Sequence, residues 1–351
     1  MQMKRFIIPL LAAVAVFTAT AQTWSPDSLC RGFESRRVKM ADDYSGPVVS
    51  TIIRKLAPGE NVRRGVLYVH GFNDYFFQSE MGEEFVSHGY DFYAVDLRKY
   101  GRSLLPGQKR YQCRSISEYF PDIDSALVDM GRNGISEIVL MGHSTGGLIT
   151  ACYLNSNERP QIKALILNSP FLDWNLGRLE KAIPLVSWWG KLFPNTKISQ
   201  GKSTAYAESL LKRYHGEWSY DTRLKLIQSP DVDAGWVRAI TEAQRSLRDG
   251  KARISQPVLL MYSAQSVDSS EWSPEHNRAD GVLDVKDIKR FGMELGPHVT
   301  LLKVPGGLHD LVLSAPGVRY PLYNHIFSWL GTIPSLNQSE TESVSTKVRA
   351  A

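Results

Sequence analysis

The chain reads as an α/β protein, a mostly parallel, doubly wound sheet with a helical segment inserted into it. Three observations lead there. Short apolar runs recur along the chain with helical patterns between them, the alternation expected of parallel strands joined by crossover helices. Most of these runs are aliphatic or β-branched throughout, as strands covered on both faces are. The alternation then lapses over residues 173–251, where aromatic-rich helical patterns replace it. Size and composition agree: 351 residues, 43% hydrophobic and 22% charged, suit one large domain or two modest ones. They exclude a disordered chain, a collagen-like chain and a disulfide mini-scaffold.

Residues 1–21 form a three-part leader. Lys4 and Arg5 precede twelve apolar residues (6–17), and Ala19 and Ala21 then offer an A-x-A cleavage site before Gln22. Twelve helical residues at about 1.5 Å each fall short of a hydrocarbon core of about 30 Å. The pattern predicts a signal peptide and an exported chain, periplasmic or secreted. The formal charge of +5 falls to +3 without Lys4 and Arg5, and no basic run remains, so nucleic acid is not an expected partner.

Strands are predicted at 48–53, 66–69, 92–95, 138–141, 164–167, 258–262 and 299–304. The leader aside, residues 22–172 and 252–333 form the core and 173–251 a helical cap. The sequence from 334 to 351 reads as a flexible polar tail. Three cysteines, Cys30, Cys113 and Cys152, allow one disulfide at most. Cys152 lies in an apolar helical pattern and reads as a small buried hydrophobe. No Cys/His cluster or H-E-x-x-H pattern calls for a metal, and no cofactor is implied.

The strongest chemical signal is Gly142-His143-Ser144-Thr145-Gly146-Gly147, between an apolar strand and an apolar helix. A serine on a sharp, strained strand-to-helix turn needs near-glycine neighbours two positions away on each side. Such a turn lifts the Ser144 hydroxyl above the sheet and aims the new helix's N-terminus at a reacting carbonyl oxygen. A neutral hydroxyl needs a base. Of eight histidines, His309 is placed for it, in a Gly-rich loop after the last strand. His143 adjoins the serine but is expected to point away from the turn's tip, and His70 reads as structural.

The base needs a carboxylate, ordinarily on the loop after the strand at 258–262. Residues 263–267 hold none. Asp280 is favoured because it opens directly into a helical pattern at 285–295. Asp268 is the alternative acid, and Asp284 reads as a helix cap. Residues 267–279 would then be an insertion. Backbone donors for an oxyanion are expected at Phe72, after His70-Gly71, and at Thr145.

Together these residues resemble the α/β-hydrolase superfamily, and within it the monoacylglycerol lipase and lysophospholipase group, also called serine aminopeptidase-like. The resemblance rests on HGF (70–72), the segment Asp96 to Ser103, GHSTGG (142–147), Asp280 to Asp284 and GGLHD (306–310), and spans about residues 45–332. It implies two-step acyl transfer through Ser144, His309 and Asp280, on a small-molecule acyl ester. Six aromatic residues of the cap (Trp188, Trp189, Tyr206, Tyr214, Trp218, Trp236) suggest an apolar acyl pocket, and the cap could touch a lipid or membrane surface in passing. Two other readings are open. A peptidase acting on N-termini would use cap carboxylates (Glu208, Glu217, Asp221, Asp231, Asp233) to bind the free amine, and a non-catalytic binding module could use the same fold.

Overall fold

A computed structural model describes residues 23–59, 62–201 and 203–337. The leader and the last fourteen residues lie outside the described residues. Among those described, no helix is long and apolar enough to cross a membrane.

In chain order the elements are β1 (Ser25–Pro26), β2 (Glu34–Lys39), β3 (Val49–Lys55), β4 (Arg64–Val69), α1 (Ser79–Ser87), β5 (Asp91–Asp96), α2 (Phe120–Arg132) and β6 (Glu137–His143). Then come α3 (Thr145–Ser156), β7 (Ile162–Asn168), α4 (Ile183–Leu192), β8 (Lys197–Ile198), α5 (Ala205–Leu210), β9 (Val232–Asp233) and α6 (Ala234–Ser246). The chain closes with β10 (Val258–Ser263), α7 (Val285–Gly292), β11 (Val299–Val304) and α8 (Pro316–Leu330).

Nine strands form one sheet in the order β1-β2-β3-β5-β4-β6-β7-β10-β11. The pairs from β5 to β11 are parallel, whereas β1, β2 and β3 join antiparallel at one edge. All seven expected strands are present. β1 and β2 are additions that sequence reading passed over, because Glu-Ser-Arg-Arg-Val-Lys carries charge where an apolar run would sit. β2 can do so as a half-exposed strand near the edge.

Alternate residues serve two cores, which is why the central strands read as unbroken apolar runs. Leu67, Val69 and Leu140 pack with α2, α3 and α6, while Val66, Tyr68 and Met141 pack with α1 and α8 on the other face. The far edge departs from expectation, since much of β11 is only half-buried. The segment from 334 also departs. Residues Pro334–Leu336 form a 3₁₀ turn, Leu336 is buried, and its carbonyl accepts from Arg64 Nη1 at 2.9 Å.

Between β7 and β10 the chain leaves the sheet and builds α4, α5 and α6. It also builds the small antiparallel β8–β9 pair, two residues per strand and too short to carry a period. Trp236 of α6 packs its ring 4.8 Å from that of Phe72, which ties this segment to the core. The three cysteines are buried and free; no disulfide forms. Burial pushes the Cys30 and Cys152 thiols up to about 12, so they sit as inert apolar groups.

Asp96, at the end of β5, explains the segment up to Ser103. Its carboxylate accepts from Phe76 N at 2.8 Å and from Arg102 N and Nη1 at 2.9 Å. Arg102 in turn grips Asp27 at 2.7 Å. This motif braces the loop that follows Gly71.

Candidate active site

Ser144 caps the N-terminus of α3 with φ 51° and ψ −118°. A non-glycine residue held there stores on the order of 1–3 kcal/mol, and persists only where its surroundings over-determine it. Here they do. Ser144 N donates to Asn168 O at 3.0 Å, and its own carbonyl accepts from Leu148 N and Phe171 N at 3.2 and 3.0 Å. The two flanking glycines are sterically required. A Cβ on Gly142 would stand 2.5 Å from the Gly146 carbonyl oxygen, and one on Gly146 2.3 Å from the carbonyl oxygens of Val69 and His70.

His309 lies on the loop after β11 and is buried. Its Nδ1 is 2.9 Å from Asp280 Oδ2. The other oxygen of Asp280 accepts from Val282 N and Leu283 N at 2.8 and 2.9 Å, so the carboxylate cannot swing away. A carboxylate accepts, so His309 Nδ1 is the donor of the pair and Nε2 is left as a base.

The insertion expected at 267–279 is an excursion over residues 268–279, with Val267 in its neck, and its geometry accounts for the distance of Asp280 from β10 in sequence. Ser266 and Asp280 pair across its neck, with Val267 N to Asp280 O at 2.8 Å and Asp280 N to Gln265 O at 2.9 Å. The loop closes on itself and returns Asp280 to the end of β10. Asp268 lies instead on the exposed side of the loop, at the cavity rim. Asp284 caps α7 by accepting from Lys286 N at 2.9 Å.

Ser144 and His309 line one cavity of about 380 Å³, together with Phe72. The Ser144 hydroxyl makes no hydrogen bond among the described residues; such bonds often tighten only when substrate is in place. Thr145 opens α3, and Gly71 approaches so closely that a Cβ there would meet Ser144 Cβ at 3.0 Å. Phe72 follows Gly71 in the chain and Thr145 follows Ser144.

Three expectations need correction. His143 does not turn away: it lines the same cavity, with its ring 4.9 Å from that of His309. Its Nδ1–H donates to Asn168 O at 3.2 Å, and burial pushes its pKa below the usual histidine value. The six cap aromatics do not build an acyl pocket. Tyr206 alone of them lines the cavity; Trp188, Trp189 and Tyr214 face solvent, and Trp236 is core. Trp218 bonds the Leu313 carbonyl through Nε1 at 2.7 Å. Nor do the five cap carboxylates line the cavity. Glu217, Asp221, Asp231 and Asp233 pair with Arg319, Arg223, Lys197 and Lys109, and Glu208 bonds Thr204.

Sequence reading missed a buried polar group behind His309. Asn168 Nδ2 donates to Asp310 Oδ1 at 2.7 Å and its Oδ1 accepts from Leu311 N at 3.2 Å, clamping the loop just after His309. Asp74, His143 and Asp310 place ligand-type atoms within 4.8 Å of one another. Gln78 and Asn168 already donate to the Asp310 carboxylate, and the Lys225 ammonium stands beside Asp74, so two amide donors and one cation of the chain itself already serve the group. The available signal was adjacency, since Asp74 follows HGF closely and Asp310 follows His309.

A family model described as serine aminopeptidase, S33, matches residues 60–268. The chain is 29% identical over 204 residues to phospholipase YtpA of Bacillus subtilis, covering 56% of this chain and 74% of that protein. Its fold is similar to a monoglyceride lipase of Saccharomyces cerevisiae, solved as a soluble variant with a substrate analogue. That match has a TM-score of 0.63 and 17% identity over 83% of this chain and 93% of the other. It is similar also to a monoacylglycerol lipase of Paleococcus ferrophilus, with a TM-score of 0.58 and 21% identity over 84% and 98%.

Proposed function

The chain belongs to the serine aminopeptidase S33 family, as a serine hydrolase of the lipase and esterase type on an α/β-hydrolase fold, and on that premise we propose that it is an exported enzyme cleaving lipid-like carboxylic esters. Ser144 attacks the ester carbonyl while His309 Nε2 takes its proton and Asp280 stabilises the resulting imidazolium. The Phe72 and Thr145 amides hold the oxyanion. The alcohol leaves with the proton from His309, and water, activated by the same base, releases the acid. The observation that carries this reading is the His309–Asp280 bond of 2.9 Å, beside a strained serine that lines the same cavity. An ester is favoured over an N-terminal amine because the five cap carboxylates expected to bind the amine are engaged elsewhere.

A lipid surface is the setting that suits the cap. Leu185, Trp188, Trp189 and Leu192 of α4 are each between 41% and 67% exposed, and at spacings of three and four residues they share one face of the helix, an exposed apolar face of the kind that marks a contact surface. Lys181 and Lys191 flank them and suit anionic headgroups. Purified protein should hydrolyse both a vesicle-borne monoacylglycerol and dissolved p-nitrophenyl butyrate. The triple variant L185S/W188S/W189S should lose about tenfold or more on the vesicle substrate alone, given an apolar transfer term of about 25 cal/mol per Å². Hydrolysis of aminoacyl anilides and of neither ester would overturn the proposal; equal loss on both esters would overturn the surface role.

Export is proposed from the leader. N-terminal sequencing of protein recovered outside the cytoplasm should begin near Gln22, and an intact Met1 would contradict it.

A further inference from the structure

Among the described residues that line the cavity, one carries an ammonium. Lys225 lies in the inserted segment and is only 5% exposed. Its Nζ stands 3.1 Å from Asp74 Oδ1, and the rings of Tyr206, Phe77 and Tyr220 surround it at 5.6, 5.7 and 5.8 Å. The loop that carries it is fastened to the loop after Gly71. Asn73 Nδ2 donates to Leu226 O at 2.8 Å and Asn73 Oδ1 accepts from Leu226 N at 2.9 Å, the pairing one strand makes with another. Lys225 is thus held against the chain that carries Phe72, beside the reacting centre.

An ammonium has three N–H donors, and this one, in ion-pair contact with Asp74, makes no hydrogen bond among the described residues. Asp74 offsets the cost of burying the charge while leaving the cavity side of the ammonium for a second acceptor. The other full charge on the cavity wall, Asp268, lies on an exposed rim where water and salt screen it. The same wall carries Gln200, Ser203 and Ser229. Leu226, Ile227, Val267 and Val282 line the same cavity; a fatty acyl chain is matched to those and mismatched to the polar side chains, so the polar part, with Lys225, is assigned to the alcohol half of the ester.

We propose that Lys225 forms an anion subsite, which takes a phosphate or carboxylate on the alcohol half of the substrate. The preferred substrate is then an acyl ester with an anionic headgroup rather than a neutral glyceride. This deepens the ester-hydrolase reading and rests on it.

The test compares kcat/KM for three esters of one acyl chain: 1-acylglycerol 3-phosphate, an acylated glyceric acid and the neutral 1-acylglycerol. The wild type should prefer one or both anionic esters, and which of them shows whether phosphate or carboxylate is the anion. Lys225→Met should lower the anionic-to-neutral ratio by about tenfold to a hundredfold, the range of a charge-assisted hydrogen bond. Should that variant fail to fold around an orphaned Asp74, the double variant Asp74→Asn/Lys225→Met removes both charges and serves instead. A ratio unchanged from wild type in the folded variant overturns the subsite. A second readout needs no turnover. Glycerol 3-phosphate or glycerate should slow fluorophosphonate labelling of the wild type and not of the double variant, and no slowing by either in the wild type overturns the subsite. Slowing without turnover of any ester would instead sink the ester reading and leave the subsite standing.

Discussion

Replacing Ser144 by alanine should abolish labelling by a fluorophosphonate probe and cut ester turnover by about 10⁶-fold, the loss expected when a nucleophile is removed from an otherwise intact triad. The fold should survive. The hydroxyl makes no hydrogen bond among the described residues, and the backbone bonds that hold residue 144, from its own N–H and to its carbonyl, do not depend on the side chain. Unfolding free energy should therefore stay within about 0.5 kcal/mol of wild type. Ser144→Gly sharpens the test, because glycine adopts φ 51° without steric cost. That variant should be equally inactive yet more stable than Ser144→Ala, by about 1 kcal/mol. Labelling of either variant at the wild-type rate would place the nucleophile elsewhere.

Asp280→Asn should cut kcat by about 10⁴-fold with the fold retained. The physical reason is specific to how Asp280 is held. One carboxylate oxygen accepts from Val282 N and Leu283 N, so an asparagine must keep its carbonyl oxygen there and present its NH₂ group to His309. His309 Nδ1 must then accept, which moves the ring proton to Nε2 and leaves no base facing Ser144. Asp268→Asn should change kcat less than about twofold, because an exposed rim carboxylate contributes little. Circular dichroism and thermal unfolding of both variants confirm that the comparison is between folded proteins. A small effect of Asp280→Asn beside a large effect of Asp268→Asn would reverse the assignment.

How far the site was legible depended on whether its parts are neighbours in sequence. GHSTGG is a local object: a strand, a turn and a helix within a few residues, with Gly142 required by the Gly146 carbonyl oxygen that a Cβ would meet at 2.5 Å. HGF and GGLHD are local in the same sense, each a strand end followed by glycine. Asp280 stands between the two cases. Its helix-leading position pointed to it, but its return to the end of β10 depends on hydrogen bonds across the neck at Gln265, Val267 and Asp280, and no local pattern encodes that closure. The cap aromatics mark the limit. Their abundance suggested a pocket, yet an aromatic residue gains by burial in a core, at an interface or in a pocket alike, so composition could not choose among the three.

The sequence by itself determined the doubly wound sheet, the identity of seven of its eight long strands, the turn at Ser144 and the placement of His309. Periodicity and backbone sterics act over a few residues and leave their mark there. Only the tertiary structure decided what the cavity wall is made of. Lys225 meets Asp74 across 151 positions and Asn73 grips Leu226 across 153. Buried charges find their partners in space, by offsetting each other's lost hydration, and that pairing leaves no spacing in the chain for a reader to detect.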